Sequence, residues 1–285
     1  MSALTRTSAV STIRDTIARA APEIRDGMAS RRQELDGVNP SGETVLAADA
    51  HADELLARRL TGLDAVAAYA SEEREDIIEG PGSYHCTVDP LDGSSNVESG
   101  NPAGTIVGIY DEPLPARGRD LVAAGYVLYG SVTTMVFAAD GEVAEYAIAA
   151  DGSMTTLDAN VTLPDDPTVY GFGGGDDSWP VDFRDFAEDV RRELKLRYSG
   201  ALVADVNQVL SYGGIFAYPA LQSRPAGKLR HQFEANPMAY IVESAGGAST
   251  DGDESLLDVE PNGLHTRVPV HVGNDGLVDR VETAL

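Results

Sequence analysis

The chain has 285 residues, of which 42% are hydrophobic, so it is long enough for one large globular domain or two modest ones. Its formal net charge is −25 at pH 7, which excludes a general role in binding nucleic acids or anionic membranes. Lys195 and Lys228 are the only lysines. Excess carboxylate with so little lysine indicates a halophilic cytoplasm, where concentrated salt screens the self-repulsion, although an acidic mesophilic protein is the alternative.

The cysteine content and the N-terminus bear on the compartment. Cys86 is the single cysteine, so no disulfide can form within the chain, and its apolar surroundings favour a small buried side chain. No apolar run approaches the length of a membrane span, and the N-terminus lacks the apolar block of a secretory signal. We expect a cytoplasmic protein.

Hydrophobic periodicity predicts helices first and then strands. Ile13, Ile17, Ala20 and Ile24 recur at helical spacing, and a second helical pattern ends at Leu60. After an apolar run at 84–88, further strand-like runs follow at 105–110, 121–128, 133–138 and 143–148. The dipeptide Asp140-Gly141 between the last two runs predicts a hairpin.

The sequence predicts helices with strands between them in the second half of the chain. Helices are predicted at 183–194 and 202–210. A third is predicted with Asn236 as its cap, Pro237 at its first helical position and Gly246-Gly247 as its stop. Turn-rich sequence at 151–166 separates the two halves, so we predict domains at 1–163 and 164–285. Such a mixture of elements is typical of a layered α/β protein.

One motif carries most of the chemical information. The apolar run from Tyr84 leads into Asp89-Pro90-Leu91-Asp92-Gly93-Ser94-Ser95. Two carboxylates three residues apart are hard oxygen ligands suited to Mg²⁺, and exposed amides after Gly93, where a helix can begin, suit a phosphate. A metal ion close to a phosphate is the requirement for metal-assisted cleavage of a phosphate ester. By itself, the short motif is equally typical of an ordinary turn.

The longer string, continuing through Gly104-Thr105-Ile106-Val107-Gly108-Ile109-Tyr110, closely resembles the magnesium-dependent sugar phosphatase family that includes fructose-1,6-bisphosphatase and inositol monophosphatase. Within that family it is most similar to the fructose-1,6-bisphosphatase branch. Further matching blocks keep the family's order, at 71–73, 125–131, 197–200, 203–206, 212–216, 227–230, 234–240 and 265–269. The resemblance spans residue 39 to the C-terminus and, with the acidic composition, points to a halophilic archaeon as the source.

The resemblance implies a fold, an activity and a metal site. The fold would be the α/β sugar-phosphatase fold, alternating α-β-α-β-α layers with two stacked sheets and the active site at their junction. The carboxylates of Glu72, Asp89, Asp92 and Glu234 and the carbonyl of Leu91 would bind two or three Mg²⁺ ions per subunit, with Mn²⁺ as an alternative. Four clustered carboxylates repel one another, so without cations we expect raised pKa values or local disorder.

The resemblance also places three acidic residues around the attacking water or a third, weaker metal ion: Asp49, Glu54 and Glu73. The sequence does not decide which of them takes the proton. We favour Glu73 as the base with Glu54 in support, and Asp49 as a water-mediated metal contact. For Asp49 and Glu54 the alternative is an exposed helix face.

The expected substrate contacts form two groups, one for each phosphate of a sugar bisphosphate. The contacts of the reacting phosphate would be Gly93, Ser94, Ser95 and Arg230. Those of the distal phosphate and the sugar would be Arg197, Tyr198, Tyr218 and Lys228. Guanidinium forks and tyrosine hydroxyls suit the fixed acceptors of a phosphate. In the family Arg197 serves a neighbouring subunit's site, so we expect a homodimer or a homotetramer.

Two departures from the family pattern matter for specificity and regulation. The segment 170–176 has four glycines and Asp176 where the family offers an asparagine and a tyrosine to the distal phosphate. Glycine amides suit a phosphate but Asp176 would repel it, so we expect looser specificity for that phosphate. Ser83 replaces a lysine that AMP-inhibited members use beside Tyr84, so we expect weak or no AMP inhibition.

The leading hypothesis is therefore hydrolysis of fructose 1,6-bisphosphate to fructose 6-phosphate in gluconeogenesis. A phosphatase for sedoheptulose 1,7-bisphosphate or inositol monophosphate is the nearest alternative, and a non-catalytic sugar-phosphate sensor is a third. A dehydrogenase is disfavoured because the glycines at 171–175 lack the spacing of a dinucleotide motif.

Overall fold

The computed structural model describes residues 3–40, 42 and 44–285. Its helices are α1 (Ala3–Ser30), α2 (Ala47–Leu60), α3 (Asn96–Ser99), α4 (Val181–Glu193), α5 (Leu202–Tyr212), α6 (Asn236–Ser244) and α7 (Asp275–Ala284). Its strands are β1 (Glu34–Val38), β2 (Thr44–Leu46), β3 (Val66–Ser71), β4 (Ile78–Glu79), β5 (Tyr84–Asp92), β6 (Ala103–Tyr110), β7 (Leu121–Tyr129), β8 (Thr133–Ala139), β9 (Glu142–Ile148), β10 (Met154–Asp158), β11 (Val169–Phe172), β12 (Lys195–Leu196), β13 (Gly214–Tyr218), β14 (Leu229–Arg230), β15 (Ala248–Thr250), β16 (Arg267–Val268) and β17 (Val270–Gly273).

The larger sheet has eight strands in the order β10-β9-β8-β7-β6-β5-β3-β4. Its pairs are antiparallel except for β3 and β5, which run parallel. Neighbouring residues of β6 enter different cores, since Ile106 packs with one hydrophobic cluster and Val107 with another. The hairpin prediction is confirmed, because Asp140 (φ 52°) and Gly141 (φ 80°) both adopt the left-handed conformation that a tight β8–β9 turn requires.

The smaller sheet has five strands in the order β12-β11-β13-β17-β15, and helices cover both sheets. Helices α1 and α2 pack on the outer face of the larger sheet, whereas α5 and α6 contact both sheets from between them. Helices α4 and α7 contact each other, and α7 also contacts the smaller sheet. Three hydrophobic clusters join these layers. The predicted α-β-α-β-α layering is confirmed.

The predicted start of the last internal helix needs a correction. A π-helical turn, His231–Ala235, runs directly into α6, so Asn236 does not cap a free helix end. Its side chain is buried and its Nδ2 lies 3.3 Å from the hydroxyl of Tyr110. Pro237 does occupy the predicted position at the beginning of α6.

The predicted domain boundary at 163/164 lies between β10 of the larger sheet and β11 of the smaller one. The division into two domains stays a prediction. Among the described residues, no helix combines the length and the apolar character that crossing a bilayer requires.

Candidate active site

A polar cavity of about 280 Å³ opens between the end of β5 in the larger sheet and β13 in the smaller one. All the site residues predicted from the sequence line this cavity, except Glu54 and Arg197. Seven carboxylate side chains but only two basic side chains, Lys228 and Arg230, are among its lining residues. The cavity therefore concentrates negative charge inside the protein.

The parallel pairing of β3 with β5 places Glu72 beside Asp89. Ser71, the last residue of β3, pairs with Val88 of β5, so the residues that follow each of them are neighbours. The N–H of Glu72 donates a hydrogen bond to the carbonyl of Val88 at 3.0 Å. Both carboxylates are buried, with 8% of Glu72 and 6% of Asp89 exposed.

An irregularity in β5 gives the motif its shape. The register of β5 against β6 shifts between Asp89 and Asp92, as expected where Pro90 cannot donate to the ladder. The hydroxyl of Thr105 donates to the carbonyl of Pro90 at 2.8 Å, and the N–H of Leu91 donates to Asp89 Oδ1 at 3.0 Å. These hydrogen bonds fix the position of Asp89 relative to Asp92.

Asp92 joins the motif to helix α5. Its Oδ2 accepts a hydrogen bond of 2.7 Å from the N–H of Val203 in the first turn of α5. The next residue, Gly93, has φ +70°, and a Cβ there would lie 2.3 Å from the Cβ of Ala201. Only glycine adopts this positive φ without strain and leaves room for Ala201. The turn that follows the carboxylates can therefore approach the start of α5 closely.

Glu234 reaches the cluster from the π-helical turn. Its Oε2 accepts a hydrogen bond of 2.6 Å from the N–H of Arg230, whose side chain is only 2% exposed. The Arg230 guanidinium lies 3.0 Å from Glu72 Oε1. One carboxylate oxygen from each of Glu72, Asp89 and Glu234 lies within 4.8 Å of the others.

This cluster fits a divalent cation. Burial, and then repulsion by Glu72 and its neighbours, raises the pKa of Asp89 and of Glu234 well above the usual range. Burial likewise raises the pKa of Asp92 to about 7, although its hydrogen bond from Val203 opposes the shift. Converging carboxylates that repel one another form an all-oxygen donor set, which suits Mg²⁺. A bound cation would remove the repulsion.

Asp49 and Glu73 lie at the edge of the cluster. Burial raises the pKa of Asp49 to about 6, against hydrogen bonds from the Leu46 N–H (2.8 Å) and the Ser94 hydroxyl. Burial and then repulsion by Asp49 raise the pKa of Glu73 to about 8. Asn39, a lining residue that sequence reasoning did not assign a role, donates from Nδ2 to Glu73 Oε1 at 3.2 Å.

The structure does not bring Glu54 into the cavity. Its side chain is 68% exposed and its Oε2 lies 3.1 Å from Nη2 of Arg74. Asp53 is the buried neighbour instead, because it lies four residues after Asp49 on the same face of α2, whereas Glu54 is rotated away. The i,i+4 spacing was the sequence signal that distinguished them. The supporting role expected for Glu54 is therefore not retained.

The part of the cavity next to β12 and β13 carries aromatic side chains, with a lysine beside one of them. Tyr198 and Tyr218 line it, and Lys228 Nζ lies 5.4 Å from the centroid of the Tyr218 ring. Arg197 is exposed outside the cavity, and its N–H donates to the carbonyl of Tyr170 at 2.8 Å. This position does not test its expected role in a neighbouring subunit.

Asp176 does not approach the cavity, contrary to the repulsion expected from the sequence. It is exposed, and its Oδ2 accepts a hydrogen bond of 2.8 Å from Nη1 of Arg191. That pairing lowers the pKa of Asp176. The carboxylate that does line this part of the cavity is Asp205, which accepts a hydrogen bond of 2.6 Å from the N–H of Ser199. Sequence reasoning used Asp205 only as part of a matching block.

A layered α/β fold with a buried carboxylate cluster beside arginine and lysine, at the junction of two sheets, has the features expected of a sugar phosphatase. Two family models match the chain: "Fructose-1-6-bisphosphatase, N-terminal domain" over residues 7–158 and "Fructose-1-6-bisphosphatase, C-terminal domain" over residues 163–285. The chain belongs to the fructose-1,6-bisphosphatase family.

Individual relatives agree with this assignment. The chain is 57% identical to the class 1 fructose-1,6-bisphosphatase 1 of Haloarcula marismortui, over 96% of this chain and 94% of the relative. It is 56% identical to the class 1 enzyme of Natronomonas pharaonis, over 97% and 99% of the two chains. The crystal structure of Leishmania major fructose-1,6-bisphosphatase in holo form superposes with a TM-score of 0.89 at 28% identity, covering 98% of this chain and 92% of that one.

Proposed function

We propose that this protein is a Mg²⁺-dependent phosphoric monoester hydrolase that converts fructose 1,6-bisphosphate and water into fructose 6-phosphate and phosphate, a step of gluconeogenesis. The observation that carries the proposal is the convergence of Glu72, Asp89 and Glu234 within 4.8 Å, in the cavity that also contains Arg230 and Lys228. The cavity combines carboxylates that a bound cation would stabilise with basic side chains that can bind an anion. This combination fits a metal-assisted reaction of a phosphate ester.

The carboxylates of Glu72, Asp89, Asp92 and Glu234 would hold two or three Mg²⁺ ions, with the carbonyl of Leu91 as a further ligand. Bound Mg²⁺ supplies Lewis-acid chemistry, polarising the phosphoryl group and stabilising the leaving oxygen. Mn²⁺ has the same preference for oxygen ligands. Asp92 also accepts backbone hydrogen bonds at the start of α5, from Val203 at 2.7 Å and from Leu202, which orient its carboxylate.

Glu73 is the base that we favour for the attacking water. Its carboxylate is largely buried at the edge of the cluster, and a base with a pKa near neutrality combines a deprotonated fraction with useful basicity. Asp49 faces the same region and is bonded to its own helix terminus and to Ser94, which suits a positioning contact.

The reacting phosphate would lie against the turn of Gly93, Ser94 and Ser95 and the guanidinium of Arg230. The distal phosphate and the sugar would contact Tyr198, Tyr218 and Lys228, with Arg197 supplied by a neighbouring subunit of a homodimer or homotetramer. A guanidinium and an ammonium in one cavity suit a substrate with two phosphates.

The test is phosphate release from a panel of sugar phosphates in molar potassium chloride with and without Mg²⁺. The panel contains fructose 1,6-bisphosphate, sedoheptulose 1,7-bisphosphate, fructose 1-phosphate and inositol monophosphate. We expect the highest kcat/KM with fructose 1,6-bisphosphate and no turnover after chelation. A higher kcat/KM with inositol monophosphate would contradict the substrate, and binding without phosphate release would indicate a sensor.

A further inference from the structure

We propose that Arg74 and His265 are positioning residues, which hold the segment carrying Glu72 and Glu73 in place and thereby set the affinity of the cavity for Mg²⁺. The inference rests on the proposed metal-dependent function. Neither residue lines the cavity. Both connect this segment to the other parts of the chain that carry cavity carboxylates.

The side chain of Arg74 connects the segment to α2, the helix that carries Asp49. Its Nε lies 2.6 Å from Asp53 Oδ2, and its Nη2 lies 3.1 Å from Glu54 Oε2. Asp53 is only 4% exposed, and its Oδ1 accepts a hydrogen bond of 2.9 Å from the hydroxyl of Tyr69. Charge-assisted hydrogen bonds to a buried carboxylate that is held from both sides are strong and directional.

The backbone of Arg74 connects the segment to the π-helical turn that carries Glu234. The carbonyl oxygen of Arg74 lies 2.9 Å from Nε2 of His265, and because a carbonyl only accepts, the imidazole donates. The ring of His265 lies 5.2 Å from the ring of Phe233, the residue before Glu234. This hydrogen bond therefore joins the segment that carries Glu72 and Glu73 to His265, which packs against the turn that carries Glu234.

These connections matter because the carboxylates repel one another. Glu72 follows the end of β3 and keeps one backbone hydrogen bond to β5, but Glu73 and Arg74 lie beyond the strand pairing. If Arg74 or His265 were lost, the segment could move away from Asp89 in the metal-free protein and relieve the repulsion. Binding Mg²⁺ would then have to reassemble the cluster, so the apparent affinity would fall in proportion to the population that remains assembled.

The experiment measures Mg²⁺ binding to the metal-free full-length protein by calorimetry, together with kcat, KM and thermal unfolding. Arg74→Ala removes the connection to α2. His265→Phe keeps an aromatic ring against Phe233 but removes the hydrogen bond to Arg74. We expect each to weaken Mg²⁺ binding about tenfold, as outer-shell substitutions do, with KM for the substrate at saturating Mg²⁺ nearly unchanged. Arg74→Lys keeps the charge beside Asp53 and should restore part of the affinity.

Arg59→Ala is the matched control. Arg59 connects α2 to α1 in a similar way, through an ion pair with Glu23 and a hydrogen bond of 2.8 Å to the carbonyl of Arg19, away from the cavity. It should lower the unfolding temperature without changing Mg²⁺ affinity. Unchanged Mg²⁺ affinity in both Arg74→Ala and His265→Phe, or an equal loss in Arg59→Ala, would overturn the inference while leaving the proposed function intact. Failure of the parent protein itself to bind Mg²⁺ would overturn both.

Discussion

The ring of Tyr218 occupies the space in which a side chain at Gly173 would begin. A Cβ at residue 173 would lie 2.1 Å from Cδ2 of that ring, whereas the backbone of Gly173 is not in the left-handed region. Glycine is needed here for space rather than for conformation. The glycine-rich segment that replaces the family's usual phosphate contacts therefore allows Tyr218, with Lys228 over its ring, to lie against the backbone.

Gly173→Ala should displace Tyr218 and weaken the distal end of the substrate site. We expect KM for fructose 1,6-bisphosphate to rise roughly tenfold with a small change in kcat, as for loss of a contact made equally in the ground and transition states. The control is Gly175→Ala, because a Cβ there meets nothing within 4 Å. Equal kinetic effects of the two substitutions would contradict this role for Gly173.

Asp89→Asn should change activity and stability in opposite directions. The substitution keeps the shape of the side chain but removes a negative charge from the cluster, so turnover should fall about a thousandfold or more. The free energy of unfolding of the metal-free protein should increase, because burial and like charges oppose ionisation of Asp89 in the folded state. Asp165→Asn, in an exposed bend between β10 and β11, should do neither. Near-normal turnover of Asp89→Asn would contradict the metal site.

Local sequence signals were sufficient where one periodic pattern dominated. The runs at 105–110, 121–128, 133–138 and 143–148 are strands of the larger sheet, and Asp140-Gly141 is its hairpin turn. Strands β6 and β7 are buried on both faces between helices, so their apolar runs are continuous, whereas β9 is only partly buried and its run alternates. The meeting of Glu72 with Asp89 and Glu234 could be expected only from the family resemblance, because their proximity depends on the order of strands.

The sequence was less informative where a tertiary contact overrides local preference. Asn236 resembles a helix cap, yet it is buried and the helix begins earlier with a π-helical turn. Asp176 appeared placed to repel a phosphate, but Arg191, fifteen residues later, pairs with it at the surface. Asp205 carries no local sign that it lies in the cavity, since its hydrogen bond to Ser199 exists only in the folded loop.

AMP should inhibit this enzyme weakly or not at all. Ser83 stands where AMP-inhibited members of the family use a lysine, and the adjacent Tyr84 is buried, with 3% exposed. A serine cannot supply the charge that a nucleotide phosphate requires. The measurement is the initial rate of phosphate release against AMP concentration at saturating Mg²⁺. Strong inhibition by micromolar AMP would contradict the prediction.

Concentrated potassium chloride should stabilise the fold. The chain has 46 acidic and 21 basic residues, and acidic side chains face one another on its surface, as in the groove lined by Asp182, Asp185, Asp189 and Asp279. Salt at molar concentration screens such repulsion over about 3 Å. Chemical unfolding across a series of potassium chloride concentrations should give the smallest free energy of unfolding in dilute buffer. A chain most stable in dilute buffer would not be halophilic.

Without Mg²⁺, the buried carboxylates should make the fold lose stability as the pH rises, and above about pH 6.5 no histidine opposes this loss. The pKa values of Asp49, Asp92 and Glu73 are raised by burial from 3.8, 3.8 and 4.5 to about 6, 7 and 8. The folded state therefore holds protons that the unfolded chain releases, so this stabilisation is complete below the unfolded values and disappears as the pH passes the folded ones. Saturating Mg²⁺ should make the free energy of unfolding nearly independent of pH. In the metal-free protein, Glu73→Gln should remove the loss of stability at the upper end of the pH range. Buried histidines whose pKa is lowered, such as His271, add stability as the pH rises to about 6.5, so the test is made above that pH. A metal-free protein that does not lose stability between about pH 6.5 and pH 8 would show that these carboxylates are not buried together.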